Sequence, residues 1–468
     1  MKKYIILLLC ITLFLPLYAQ EADGNPGGVN DVGDEFAAMD ESFNEIRNEA
    51  LSQAGSIGND QAASPQYEKI ENFGDEYQFI QPEKAFTFAR QRFELGFDNG
   101  GGFDNDLIGL GDFFKTEIIL DLDKIKDIVG DDGFNVNAGF GGGMFINVKN
   151  ISISEGKWDF GFFSGADGAV NFNIPQSLFT LVSQGNINQH VFEGMISASG
   201  GIYANAGLRA SAKYGKLRVG LRPTLFAPLI FIPKSGITYS LNTEESIAFS
   251  TLGEISIYSP IMDVIDGRTF NLQYGFDLAM EGEYDLFPFL DVGGSFSRIP
   301  FSPARMESRA LLTMKGLEDG FEIKGEDLLA GQDISDKLPD FDNIDFDQSF
   351  DIFPHKVFRP MRFDTYARYK PFNTNILAIV PNLGFSVDIN DKQGYFNGGL
   401  TIQLNVKDIF YFHLGMGCQE AIWKNRIGFA VNVRAFELGL EAMFRSQDFA
   451  GSFKAQGAGV NLGIRFGW

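Results

Sequence analysis

The last nine residues of the chain alternate between apolar side chains and small or polar ones, up to the final residue. Successive side chains of a β-strand point to opposite faces, so this alternation predicts a strand whose apolar face runs to the end of the sequence. A last strand that ends on a large aromatic ring fits a closed β-barrel, in which it pairs with the first strand and places the ring at a membrane interface. The apolar positions are Val460, Leu462, Ile464, Phe466 and Trp468.

The same period of two recurs from about residue 85 onward. In the stretch 158–174, aromatic residues such as Phe160 and Phe162 share even numbers, whereas Asp159 and Asp167 occupy the other face. Carboxylates on one face of a strand are costly in a dry core but not in a wet lumen. We therefore predict an all-β fold, a transmembrane antiparallel up-and-down β-barrel over 85–468. About 14 strands are expected, with 12 or 16 as alternatives, because closed bacterial single-chain barrels have even strand numbers.

Composition agrees with a barrel rather than with helical membrane spans. After the first 19 residues, no stretch of 18 or more apolar residues occurs, and such a stretch is what a transmembrane helix requires. The chain contains 48 Phe and 54 Gly residues. Phe residues at alternate positions, with Gly residues between them, fit a barrel wall that has apolar side chains facing lipid and small residues facing the interior.

The N-terminus has the pattern of a secretory signal peptide, predicted over 1–19. Lys2 and Lys3 precede an almost wholly apolar run, and Ala19 provides a small residue for cleavage. Only Cys418 remains after removal of this segment, so an intrachain disulfide is excluded. The pattern predicts export from the cytoplasm.

Residues 20–84 differ from the rest, being acidic and interrupted by Gly and Pro. They are predicted to form a periplasmic or plug segment with a helix near 35–54, capped by Asp34 and ended by Gly55. This helix either lies on the mouth of the barrel or enters the lumen as a plug. A second acidic stretch, near 315–360, predicts a long loop, which is expected to face outward although nothing in its residues fixes the side.

Three parts of the sequence resemble known families. The final strand resembles the C-terminal signal strand of bacterial outer-membrane β-barrel proteins, and the barrel region is similar to uncharacterised families of such barrels. The sequence GNPGG at 24–28 resembles a short Asn-Pro motif near the N-terminus of the long-chain fatty-acid transporter family. The first resemblance implies location in the outer membrane of a bacterium with two membranes, where the lipid and the barrel assembly machinery are partners. The resemblance to the fatty-acid transporter family implies transport of apolar molecules.

Catalytic or cofactor chemistry is not indicated. The three histidines share no spacing typical of metal ligands. No Ser, His and acidic residues occur together at positions of matching parity, as a catalytic triad on neighbouring strands would require. We therefore predict that the protein is not an enzyme and holds no cofactor or metal. The net charge of −23 argues against nucleic acid as a partner. The oligomeric state is left open.

Function is expected to reside in the charged residues whose parity points them into the lumen. Such residues either form a transverse field that passes small polar solutes, or pair into a plug that passes nothing. The prediction is a passive channel or transporter of small or hydrophobic solutes across the outer membrane. The alternative is a non-conducting structural or surface-exposed protein, with adhesin-like loops on a barrel anchor. The candidate lumen residues are Arg218, Arg222, Arg362, Asp364, Arg368, Lys370, Arg465, Asp159 and Asp167.

Overall fold

The structure is a computed structural model that describes the greater part of the predicted barrel. The described residues are 93–105, 133–153, 156–178, 180, 191–242, 247–265, 267–321, 345–371, 376–390, 392–407, 409–420, 422–433, 435–447, 449–454 and 456–468. The predicted signal peptide (1–19), the predicted N-terminal segment (20–84) and its predicted helix lie outside these residues.

Seventeen strands and two short helices have both of their ends within the described chain. The strands are β1 (Phe93–Asn105), β2 (Phe134–Ile153), β3 (Gly156–Ile174), β4 (Val191–Tyr214), β5 (Leu217–Asn242), β6 (Ile247–Tyr258), β7 (Gly275–Phe287), β8 (Leu290–Ser302), β9 (Ala304–Phe321), β10 (Asp345–Val357), β11 (Met361–Tyr369), β12 (Leu377–Asp388), β13 (Gln393–Val406), β14 (Phe410–Gln419), β15 (Ile422–Val433), β16 (Phe436–Ser446) and β17 (Gly457–Gly467). Helix α1 (Ile261–Ile265) lies between β6 and β7, and α2 (Phe449–Lys454) lies between β16 and β17.

The seventeen strands make a closed antiparallel barrel of 14 barrel strands, as the alternation predicts. Three barrel strands are each built from two consecutive segments, β6 with β7, β8 with β9 and β10 with β11. The two halves of β5 pair with β6 and β7, and the chain of pairings continues through β8–β11 to β12. The barrel closes where β1 pairs with β17, from Glu94 opposite Gly467 to Asp104 opposite Gly457. We number the barrel strands 1–14 in this order.

Two parts of the wall differ in regularity. The segments β12–β17, here called the regular wall, are 10–14 residues long and pair with one another without any shift in register. The segments β4–β11, here called the broken wall, contain register shifts and the three interrupted barrel strands. Strands β4 and β5 reach 24 and 26 residues, more than the roughly 9–11 residues that a tilted strand needs to cross a bilayer.

The two ends of the barrel are joined differently. The end at which β1 begins and β17 finishes, here called the turn end, includes a tight turn between Tyr214 and Leu217, which pair with each other. Gly215 occupies its corner with a φ of 58°, a left-handed conformation that favours glycine. The opposite end, here called the loop end, carries the connection between β9 and β10 and the one between β1 and β2.

The long acidic loop predicted over 315–360 is shorter than expected. Strand β9 continues to Phe321 and β10 begins at Asp345, so the connection between them covers 322–344. The sequence of β10 suggested a loop because it carries several Asp residues and Pro354, both of which are depleted in strands. The residues that form β10 nevertheless pair with β9, with a register shift between Ile352 and His355 around that proline.

Candidate functional site in the barrel interior

The side chains of the barrel strands separate into an apolar outer face and a polar inner face. Large apolar residues on the outer face are exposed, such as Leu208 at 61%, Phe396 at 66% and Leu414 at 57%. The residues that point the other way are small or polar and largely buried, as with Asn397 beside Phe396 and His413 beside Leu414. Exposed apolar side chains over a whole barrel wall fit lipid as the surrounding medium. The inner face is therefore where a functional site is to be sought.

Four charged side chains meet across the interior. Asp167 accepts hydrogen bonds from Nη2 of Arg298 at 2.9 Å and from Nη2 of Arg359 at 3.1 Å. The Nη1 atom of Arg359 lies 3.2 Å from Oδ2 of Asp277. All four residues are about 2% exposed. We call Asp167, Asp277, Arg298 and Arg359 the cross-lumen network.

The cross-lumen network joins distant parts of the wall. Asp167 lies on barrel strand 3, Asp277 on strand 6, Arg298 on strand 7 and Arg359 on strand 8. The two arginines are thus four and five barrel strands away from the carboxylate that they share. Asn205 on the adjacent strand 4 donates a further hydrogen bond to Asp167, at 2.5 Å between Nδ2 and Oδ1.

A β-bulge turns Arg298 inward. The pairing of β7 with β8 shifts between Leu278 and Met280, which face Ile299 and Phe296. Two residues, Ser297 and Arg298, therefore oppose one residue of the partner strand, which defines a bulge. Arg298 has a φ of 56°, and both bulge residues are buried. Alternation from Phe296 would have placed Arg298 on the outer face, so sequence reasoning missed it.

Arg359 occupies the interruption between β10 and β11. The backbone N–H of Phe358 donates to Oδ1 of Asn390 at 2.9 Å, and Nδ2 of Asn390 donates to the carbonyl of Phe358 at 2.8 Å. One side-chain amide thus replaces the backbone hydrogen bonds that a strand neighbour would supply. Arg359 was missed because its segment was predicted to be loop.

An aromatic cluster lies beside the cross-lumen network. Tyr203 and Phe226 contact edge to face, with ring centroids 6.2 Å apart. The guanidinium of Arg359 lies 5.9 Å from the ring centroid of Phe226. The cluster, all of it buried, consists of Tyr203, Phe226, Phe231, Tyr258, Ala304, Met306 and Val357. The interior of the broken wall is therefore part charged and part apolar.

A second charged group lies toward the turn end, where the regular wall meets β1 and β2. The guanidinium of Arg465 lies 3.6 Å from both Asp98 and Glu437, which are on the two neighbouring strands. Lys149 and Glu94 form a nearby pair, with Nζ and Oε2 separated by 2.5 Å. A cavity of about 50 Å³ adjoins this group, and His413 and Glu441, joined at 2.5 Å, line its wall.

A third charged group lies on barrel strands 6–8. Lys370 pairs with Asp291 at 2.6 Å. Arg368 lies 3.7 Å from Glu283 and 3.8 Å from Asp291. Closer to the loop end, Arg362 and Asp364 pair within one strand at 2.5 Å. These ion pairs join the same strand or strands at most two apart, so they line the wall rather than cross the lumen.

The remaining candidate lumen residues have separate surroundings. Arg222 is buried, with its guanidinium 5.2 Å from the ring centroid of Phe163. Arg218 and Asp159 are half-buried. The structure brings only Asp167, of the nine candidates, into the cross-lumen network.

One acidic residue between strands has a shifted pKa. Glu420 lies between β14 and β15 and is buried. Burial raises the pKa of its carboxyl group, while the nearby charges of Arg362, Lys424 and Arg298 act in the opposite direction. Its backbone N–H donates to Oδ1 of Asn397 at 2.8 Å.

The C-terminal strand completes the wall at the turn end. The rings of Trp468 and Phe93 stack with centroids 6.1 Å apart, and the two residues exchange backbone hydrogen bonds of 3.0 and 3.1 Å. The side chains of Val460, Leu462, Phe466 and Trp468 are exposed on the outer face. Ile464 is half-exposed on the same face.

Within the described ranges, no three His, Cys, Asp or Glu side chains group in a way that could hold a metal ion. None of the helices there has the length and apolar character needed to cross a bilayer.

Comparisons with known proteins give likenesses to solved barrel structures. The chain is similar to the toluene transporter TbuX of Ralstonia pickettii, at 8% identity, 81% coverage of this chain, 90% of that chain and a TM-score of 0.41. It is similar to a FadL homologue of Pseudomonas aeruginosa at 8% identity, with 85% of this chain and 98% of that chain covered and a TM-score of 0.41. It is also similar to the toluene transporter TodX of Pseudomonas putida, at 9% identity, 80% coverage of this chain, 88% coverage of that chain and a TM-score of 0.38.

No family model and no curated protein matches the chain. The identities and TM-scores of the solved structures are low, and the assignment of a closed barrel rests on the strand pairing of this chain itself.

Proposed function

We propose that the protein is an outer-membrane β-barrel that passively transports small polar solutes through a lumen narrowed by charged side chains. The observation that carries this proposal is the cross-lumen network, because its four charged groups occupy the place through which any solute would pass. Charged groups that face each other across a pore select solutes by charge and size.

The outer face supports a location in the outer membrane. Its exposed Phe, Leu, Ile and Val side chains would be unfavourable in water and are favourable in lipid. Bacterial outer-membrane barrels have short turns on the periplasmic side and longer loops outside. By this rule the turn end faces the periplasm and the loop between β9 and β10 faces outward. The C-terminal residues Val460, Leu462, Ile464, Phe466 and Trp468 would be read by the barrel assembly machinery.

Transport of apolar solutes is a second candidate, and the aromatic cluster favours it. Tyr203, Phe226, Phe231 and Tyr258 form an apolar surface next to the charged groups. An apolar solute in contact with these rings would lose water and gain dispersion contacts.

Liposome swelling and planar-bilayer recording test the proposal. Purified protein in vesicles should let salt and small sugars pass, at a rate that falls steeply with sugar size, whereas protein-free vesicles should not. If neither solute nor current passes, the barrel is a non-conducting anchor. If only an apolar dye enters the vesicles, the second candidate is correct. The Phe226→Ala variant should then slow dye entry.

A further inference from the structure

We infer that the cross-lumen network is a latch, which holds the lumen closed when Asp167 binds Arg298 and Arg359 and opens it when they separate. This inference rests on the proposed function, since a latch has a purpose only in a barrel that conducts. It concerns the regulation of that lumen.

The position of the network distinguishes it from the other ion pairs. Among the ion pairs of the described residues, those of Asp167 join barrel strands four and five apart. The other ion pairs described above join strands no more than two apart, as in the pairs of Arg465 and Arg209. The pairs of Asp167 therefore lie across the path of a solute that moves along the barrel axis.

The two arginines lie at positions where the hydrogen-bonded strand ladder is interrupted. Arg298 sits on a bulge and Arg359 on the interruption between β10 and β11. At these points the backbone ladder is already broken, so a small shift of either residue breaks few backbone hydrogen bonds. A matched pair on continuous strands could not move without disturbing the wall.

The free energies of ion pairing and hydration favour two distinct states of the network, one paired and one hydrated, over partly separated arrangements. A buried guanidinium that loses its carboxylate in a dry interior is strongly destabilised. Once water enters, both groups are hydrated and the penalty falls. Two Asp and two Arg side chains also balance in charge, so opening exposes no net charge. The closed paired state and the open hydrated state are therefore both favourable relative to intermediates.

Single-channel recording tests the latch with isosteric and truncating variants. Asp167→Asn, which retains size and loses charge, and Arg298→Gln should each raise the open probability by about tenfold or more. The double variant should add little to either single variant, because both break the same contact. Lys213→Ala is the control, since Lys213 pairs with Asp285 at the turn end with both side chains more than one third exposed.

The outcomes separate the latch from the proposed function. If wild-type protein conducts and both variants keep its open probability within about twofold, the latch is wrong and the channel stands. If no protein conducts, including the double variant, the proposed function fails with it. If a variant yields too little folded protein, heat-modifiable migration in gels shows this. Wild-type open probability should then rise with salt, which weakens ion pairs, and an unchanged value would overturn the latch.

Discussion

The regular wall and the broken wall are built from the same alternation of apolar and polar residues, yet they differ in what that alternation determines. In the regular wall, strands of 10–14 residues pair without register shifts. In the broken wall, bulges and interruptions redirect side chains, and the cross-lumen network forms there. Regular strand pairing therefore forms a continuous barrel wall. Local bulges and interruptions of the pairing instead bring charged side chains together across the interior.

The largest effect on stability is expected at the centre of the broken wall. Asp167→Ala leaves Arg298 and Arg359 without their shared carboxylate. Removing one partner of a buried ion pair costs about 3–5 kcal/mol. Urea unfolding in detergent or lipid, followed by tryptophan fluorescence, measures the loss. A loss below about 1 kcal/mol, the value of an exposed ion pair, would show that the network is solvated and would remove the contrast between the two walls.

A charge on the outer face of the regular wall is expected to have the next largest effect. Leu414→Arg places a guanidinium on the apolar side of β14, where Leu414 is exposed to its surroundings. A charge at the middle of a lipid-facing barrel wall costs about 2–4 kcal/mol. The same unfolding assay applies, with Leu414→Met as the control. Equal stability of the two variants would mean that this face meets water.

The amide that bridges the interruption should contribute less. Asn390→Ala removes the two hydrogen bonds to the backbone of Phe358. Loss of partners for buried backbone groups costs about 1–3 kcal/mol. Hydrogen exchange of the Phe358 amide should accelerate in this variant, while amides of β13 stay protected. If exchange at Phe358 is unchanged, the interruption is held by other contacts.

The smallest expected effect is a change in pH dependence. Because burial raises the pKa of Glu420, its contribution to stability is complete below the ordinary carboxyl pKa and is lost as the pH rises through the raised pKa. Glu420→Gln cannot ionise, so its unfolding free energy should fall less than that of wild type between about pH 4 and pH 8. Parallel pH profiles for the two proteins would contradict the raised pKa.

The sequence was informative where backbone geometry is regular. Alternation predicts the closed antiparallel barrel and its 14 strands, because side-chain direction in a strand depends only on parity. It also put Asp167 and Arg222 among the candidate lumen residues, which stays a prediction; both side chains are buried.

Parity failed where the backbone departs from an ideal strand. Arg298 follows Phe296 by two residues, yet a bulge sends the two side chains to opposite faces. Arg359 lies in an interruption that no local pattern marks. Alternation also gives a residue's face but not its partner, so the meeting of barrel strands 3 and 8 at Asp167 could not be foreseen.

The most direct test of the account is the depth and face of single spin labels along β13 in lipid. On a Cys418→Ser background, labels at Leu400, Thr401, Ile402 and Gln403 would be compared for collision with oxygen, which concentrates in lipid, and with a water-soluble nickel chelate. The account predicts that labels at Leu400 and Ile402 respond to oxygen, whereas those at Thr401 and Gln403 do not. Equal access of the nickel chelate to all four positions would contradict a wall that is apolar outside and polar inside.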